Sequence, residues 1–263
     1  MPPMIGVFDS GFGGLTVLQE LLKVLPGADY MYFGDTARLP YGSKSAHTVA
    51  KYAISSAHFL QERGAEMLVI ACNTATALAL HEIKSAVALP VIGVVDPGAE
   101  RAAEISKSRN AAVIATEATV SSHAYEKALR TRGIQVKEKA CPLFVPLVEE
   151  GWVDHPVTEQ VAHIYIDEIF PNGAGGADVL LLGCTHYPLL RPLLRRVVPA
   201  EVQIVDSAES TAGEVAKCVK NPGNRTTGTL RCFATDSVEK FRRLGGRFLG
   251  RPIESIELID IER

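Results

Sequence analysis

The chain has 263 residues, 47% apolar and 22% charged, a balance that fits soluble globular proteins and excludes a largely disordered chain. At roughly 150 residues per domain, this length makes one large domain or two modest ones. With 27 basic against 30 acidic residues the formal charge is −3 and the isoelectric point is near 6.2, which argues against a basic nucleic-acid-binding domain.

The predicted elements alternate from the start. Met4 to Phe8 reads as a buried strand, followed by a helix whose face is Leu15, Leu18, Leu22 and Leu25, stopped by Pro26-Gly27. A strand at Tyr30 to Phe33 precedes a helix from Ser45 to Arg63, closed by Gly64. Next come a strand at Met67 to Ala71, a helix at Thr76 to Ala86 and a strand at Val91 to Val95. Further strands are expected at Ala111 to Ile114, Gln135 to Lys137, Val179 to Leu182 and Gln203 to Val205, with helices between them. The tail gives a strand at Leu230 to Ala234, a helix at Ser237 to Leu244 and a strand at Ile256 to Ile259, after a surface loop at Asn221-Pro222-Gly223-Asn224. Apolar strands separated by helices predict an α/β protein with mostly parallel sheets covered on both faces. Val95-Asp96-Pro97 and Val205-Asp206-Ser207 are alike and read as crossovers. They divide the chain into 1–95 plus 207–263 and an inserted 96–206, two α/β domains with a cleft between them.

Glu66 to Thr74 is echoed by Asp178 to His186: an acidic residue, four apolar residues, a small one, then a cysteine followed by polar groups. Cys72 and Cys184 are thus expected at the carboxyl ends of equivalent strands, where open α/β sheets bind ligands. A lone cysteine at a strand end is commonly a small buried hydrophobe, but the repeated arrangement favours a chemical role. A helix start after each thiol is expected to lower its pKa and favour thiolate. Zinc is the competing reading, and neither CxxC nor CxxH spacing is present, so no metal is expected. Cys141, Cys218 and Cys232 lack this setting and read as structural. An odd cysteine count with no signal peptide at Met1 to Gly6 predicts reduced thiols in a cytoplasmic protein, and no apolar run approaches the roughly 18 residues of a membrane span.

Around these thiols other candidates gather. Asp9-Ser10-Gly11-Phe12-Gly13-Gly14 follows the first strand and offers backbone N–H groups to an anion; the plain alternative is a tight turn capped by Ser10. Thr16 breaks the dinucleotide fingerprint, although Asp35 keeps a nucleotide reading open. Gly34 to Lys44 is either a simple connection or a binding loop whose Tyr41, Gly42 and Ser43 hydrogen-bond a small acid. His186 is a proton manager beside Cys184 or a semi-buried histidine. Glu149-Glu150 is a solvated pair unless it reaches the site, and Thr116 and Thr119 cap a helix or line an anion pocket.

Phe8-Asp9-Ser10-Gly11-x-Gly13-Gly14-Leu15-Thr16, Gly34-Asp35-Thr36-Ala37-Arg38-x-Pro40-Tyr41-Gly42, Ala71-Cys72-Asn73-Thr74-Ala75 and Leu182-Gly183-Cys184-Thr185-His186-Tyr187-Pro188-Leu189 together resemble glutamate racemases, in matching order from about residue 4 to 219. Phe12, Leu39, Asp96, Ala115 and Ala118 depart from the family pattern. The resemblance implies a cofactor-independent, two-thiol interconversion of L- and D-glutamate that supplies D-glutamate for peptidoglycan. It also implies two pseudo-symmetric domains and a homodimer. By resemblance, Cys72 deprotonates D-glutamate and Cys184 deprotonates L-glutamate. Asp9, His186 and Glu149 assist, and Asp9, Ser10, Pro40, Tyr41, Gly42, Asn73, Thr74, Thr116, Thr119, Thr185 and His186 contact the substrate. The alternatives are an aspartate or hydantoin racemase of the same superfamily and, from another class, a protein-binding role such as inhibition of DNA gyrase.

Overall fold

A computed structural model describes residues 3–174, 176–220 and 225–261; the expected loop Asn221 to Asn224 lies outside the described residues. The chain opens with β1 (Met4–Asp9), α1 (Leu15–Val24), β2 (Asp29–Gly34), α2 (Ala46–Glu62), β3 (Met67–Ile70), α3 (Asn73–Ala86) and β4 (Val91–Gly93). It continues through α4 (Val95–Ile105), β5 (Asn110–Ala115), α5 (Glu117–Ser121), α6 (Ala124–Arg130), β6 (Gln135–Ala140), α7 (Phe144–Glu149), α8 (Pro156–Ile169) and β7 (Pro171–Ala174). Then follow β8 (Val179–Gly183), α9 (Arg191–Val197), β9 (Gln203–Asp206), α10 (Ser207–Cys218), β10 (Leu230–Ala234), α11 (Val238–Leu249) and β11 (Ile256–Leu258).

Ten of the eleven described strands, all but β7, form two sheets, ordered β11-β10-β2-β1-β3-β4 and β6-β5-β8-β9, and every pairing between neighbours is parallel. Counted along the chain, β2-β1-β3-β4 and β6-β5-β8-β9 have the same order, second-first-third-fourth. The echoed segments occupy the same place in each: β3 leads to Cys72, and β8 leads to Cys184. The acidic-apolar-small pattern is therefore the signature of one topological position used twice.

Parallel strands need cover on both faces, and they have it. Val49, Ala53, Ala57 and Leu60 of α2 join Ala75, Ala79 and Ile83 of α3 over Phe8, Phe33 and Ile70. On the smaller sheet, Ala99 and Ala102 of α4 and Tyr125 and Leu129 of α6 cover Val113 and Leu181. The inner faces of both sheets share one apolar cluster, with Val7 and Val69 on one side and Ile114, Leu180 and Leu182 on the other, joined through Ala208, Ala212 and Val215 of α10. Full burial of each large apolar side chain contributes about 1.5–3 kcal/mol.

Several boundaries differ from the sequence reading. In α1 the buried face is Leu15, Leu18 and Leu21, and Leu22 is only partly buried. Helix α3 starts at Asn73, not Thr76, because Cys72 is its N-cap and accepts the Ala75 N–H. β4 ends at Gly93, and Val95-Asp96-Pro97 is the first turn of α4, the helix that carries the chain from the larger sheet to the smaller. Asp206 caps α10, which carries it back. β7, with its Pro171 and Asn172-Gly173, had no strand signal. Gly64 has a φ of +93° past the end of α2, the left-handed stop that its glycine suggested.

Candidate active site

Loops at the carboxyl ends of β1, β2, β3, β5 and β8 converge on one cavity of about 160 Å³. Ser10, Pro40, Tyr41, Gly42, Cys72, Asn73, Thr74, Thr116, Glu149, Cys184, Thr185 and His186 line it. Asp9 and Thr119 do not reach its surface; both stand behind it with no exposure. Leu39 of the β2 loop also lines the cavity, as do Glu117, Pro142, Val145 and Pro146, which the sequence does not single out. They supply mostly apolar wall, for which a sequence gives no chemical signal. No Lys or Arg is among the lining residues, so an anion bound here is held by hydroxyls and backbone N–H groups.

The two thiols are furnished differently. Cys72 accepts the Ala75 N–H at 3.4 Å and donates to Ser10 Oγ at 3.6 Å. Burial, reinforced by the Asp9 carboxyl, pushes it up to about 12, the opposite of the depression expected from its place at a helix start. The field of α3 is present, but loss of water outweighs it. Cys184 is not followed by an α-helix: Thr185 and His186 lead into a 3₁₀ turn, Tyr187–Leu190, and α9 begins only at Arg191. Its Sγ lies 3.9 Å from His186 Nδ1 instead.

His186 is held from its other ring nitrogen. Its Nε2 meets Glu149 Oε1 at 3.4 Å, and Lys240 Nζ meets Glu149 Oε2 at 2.9 Å. Burial opposes charge on the imidazole, but Cys184 and Glu149 outweigh it and raise its pKa to about 10. For Glu149 burial works upward, yet hydrogen bonds from His186 and Lys240 bring it below the usual carboxylate value. Glu149 is thus no solvated surface residue, whereas Glu150 is exposed.

Behind Cys72, burial raises the Asp9 carboxyl, against the lowering effect of His186. One oxygen accepts the Gly11 N–H at 2.9 Å and the other has no partner among the described residues. Ser10 does not cap α1; Gly14 stands at that position. Thr74, Thr116 and Thr119 join their hydroxyls in a triangle with edges of 2.9, 3.1 and 2.9 Å, and Thr116 also caps α5. Asn73 Nδ2 donates to Tyr125 Oη at 2.7 Å, and its buried Oδ1 has no partner among the described residues. Gly13 lets the turn after β1 approach the second thiol's loop, since a Cβ there would lie 2.3 Å from Thr185 Oγ1 and 2.6 Å from His186 Nδ1. Thr16 Oγ1 donates to the Thr185 carbonyl at 3.2 Å across the same contact.

The nucleotide reading fails on Asp35. It is fully buried, accepts Tyr41 Oη at 2.5 Å and Thr235 Oγ1 at 3.0 Å, and does not line the cavity. Cys141 and Cys232 are buried and Cys218 is exposed, and none of the three lines the cavity. Among the described residues, the group with metal-ligand spacing is His123, Glu126 and Glu138, which contains neither candidate thiol. No helix among them is long and apolar enough to cross a membrane.

The Asp/Glu/Hydantoin racemase family model matches residues 5–215. A glutamate racemase of Koribacter versatilis is 57% identical, covering 98% of both chains, and one of Geobacter metallireducens is 45% identical, covering 98% of this chain and 97% of its own. Among solved structures, a glutamate racemase isoform from Bacillus anthracis superposes with a TM-score of 0.92 at 36% identity over 98% of each chain. The Francisella tularensis glutamate racemase, in complex with D-glutamate, gives 0.91 at 34% identity over 99% of this chain and 98% of its own.

Proposed function

The chain belongs to the Asp/Glu/Hydantoin racemase family, and from that premise we propose how its cavity interconverts L- and D-glutamate. Inverting a carbon means taking a proton from one face and returning one to the other, so two acid–base groups must flank it. One observation carries the reading: two buried thiols, each beyond the third strand of a sheet of the same order, line one small cavity.

Cys184 abstracts the α-proton of L-glutamate and Cys72 supplies a proton from the opposite face; for D-glutamate the roles reverse. Cys72, pushed up to about 12, holds its proton at rest and is ready to donate. The substrate's α-ammonium brings in the positive charge that its buried surroundings lack, and so makes thiolate accessible in the reverse direction. His186 shares the proton of Cys184 and Asp9 stands behind Cys72, while Glu149 orients the imidazole. Asn73, which lines the cavity at the start of α3, contacts the ammonium end of the substrate. Ser10, Thr74, Thr116 and Thr185, with N–H groups near Tyr41 and Gly42, hold the carboxylates; Pro40 shapes that loop and Thr119 props the hydroxyl triangle. Developing carbanion charge is stabilised by these fixed donors around a small cavity.

Residues 1–95 with 207–263 act as one domain and 96–206 as the other, a reading supported by the passage of the chain between sheets at α4 and α10. The same proposal includes a cytoplasmic homodimer supplying D-glutamate for peptidoglycan; sedimentation velocity tests the dimer.

The function is tested by following the circular dichroism of L-glutamate with purified, chelator-treated, colourless protein. The signal is expected to decay to zero, and a requirement for added metal or pyridoxal phosphate would overturn the two-thiol reading. Replacing either thiol by Ser is expected to abolish racemisation. Elimination of chloride from β-chloroglutamate needs only the abstracting base. Cys72→Ser should therefore keep the L enantiomer as substrate and lose the D, with Cys184→Ser the reverse; swapped preferences would refute the assignment.

A further inference from the structure

Helix α11 grows from the larger sheet, yet its side chains reach the second thiol's partners. Lys240 Nζ is 2.9 Å from Glu149 Oε2, and Glu149 in turn meets His186. Eight residues along α11, Phe248 sets its ring edge-on to the His186 ring, with centroids 5.1 Å apart. The ammonium of Lys240 also lies 5.4 Å from the centre of the Phe12 ring, a second contact for its charge. Glu149 and His186 are nearly enclosed, at 14% and 9% side-chain exposure, while Lys240 is 39% exposed. Among the described residues no such cation chain stands on the Cys72 side, where Ser10 and the Ala75 N–H are the direct partners.

We propose that Lys240 is a positioning residue for one half of the reaction, fixing Glu149 and through it the orientation and charge of His186 beside Cys184. The C-terminal segment thereby completes the side of the cleft that handles L-glutamate. This rests on the two-thiol reading above and extends it to a residue outside the cavity. The charged and titratable groups facing the pair are Asp9 and Cys184 around the imidazole and Lys240 of α11 at Glu149, while Arg247 of α11 lies against Gly151. Removing one cation from this set leaves the Glu149–His186 pair and its surroundings in a more negative field, so a pH limb set on this side of the cleft moves upward.

The test compares Lys240→Met, which keeps the stem, with Lys240→Arg, which keeps the charge, on the two enantiomers of β-chloroglutamate. In Lys240→Met, elimination from the L enantiomer is expected to fall about threefold to tenfold in kcat, a size discounted for the partial exposure of the lysine. Its pH limb is expected to move up by about half a unit. Elimination from the D enantiomer through Cys72 should keep both rate and profile, and Lys240→Arg should restore the L side. Equal losses on both enantiomers would overturn the proposal in favour of a general structural role. An unchanged L-side profile would overturn it outright. If the native protein racemises glutamate normally in the same assays, either result refutes only the role of Lys240.

Discussion

Gly13→Ala tests the contact on which the second thiol's loop depends. The added Cβ would lie 2.3 Å from Thr185 Oγ1 and 2.6 Å from His186 Nδ1, where ordinary contact begins at 3.4 Å. Thr185 must therefore retreat by about 1.1 Å and the imidazole by about 0.8 Å. The turn cannot easily move instead. The Gly13 carbonyl accepts both the N–H and the hydroxyl of Thr16, whose hydroxyl also reaches the Thr185 carbonyl. Displacement of a reacting or supporting group by about 1 Å costs on the order of a hundredfold in rate. Overpacking of this kind costs about 1–3 kcal/mol of stability, or roughly 2–10 °C in Tm for a chain of this size. Both are measurable, the first by the decay of glutamate ellipticity and the second by thermal unfolding. Elimination from β-chloro-L-glutamate should suffer more than from the D enantiomer, because Thr185 and His186 flank Cys184. A Gly13→Ala protein with native Tm and native rates would refute the geometry from which these figures follow.

Two further predictions concern pH. The His186 pKa is raised in the folded protein from 6.5 to about 10, so its contribution to stability is full below about 6.5 and is lost as pH rises to about 10; His186→Gln should flatten that alkaline decline in Tm. The Asp9 carboxyl is also raised, which for an acid means that stability falls as pH climbs above 3.8. Asp9→Asn should therefore raise Tm at neutral pH while lowering racemisation by about tenfold or more, and a lower Tm would contradict the buried, half-partnered carboxylate.

The parallel sheets were legible because strands buried on both faces read as unbroken apolar runs, as at Val179 to Leu182. The topological repeat was legible as well, since its signature includes the small residue and cysteine that end β3 and β8. What the sequence hid was mostly non-local. Glu149 looked like half of an exposed pair because its partner Lys240 lies 91 positions later. Lys240 itself is indistinguishable by sequence from any solvated helix lysine. The start of α3 was misplaced because Asn73 and Thr74 are poor helix formers, and a cysteine is an unusual cap. The direction of the Cys72 shift was misread because a sequence displays the helix that follows a thiol but not the water it loses.

The apolar cluster shared by the inner faces of both sheets sets a limit on how this molecule comes apart. Val7 and Val69 belong to the same packed body as Ile114 and Leu180, so neither half has a complete interior of its own. Excising 96–206 would strip both fragments of their common lining. Heat should melt the whole chain in a single cooperative step, with no intermediate in which one sheet persists alone. Two copies of one strand order, sharing one lining, are expected to unfold as a single unit.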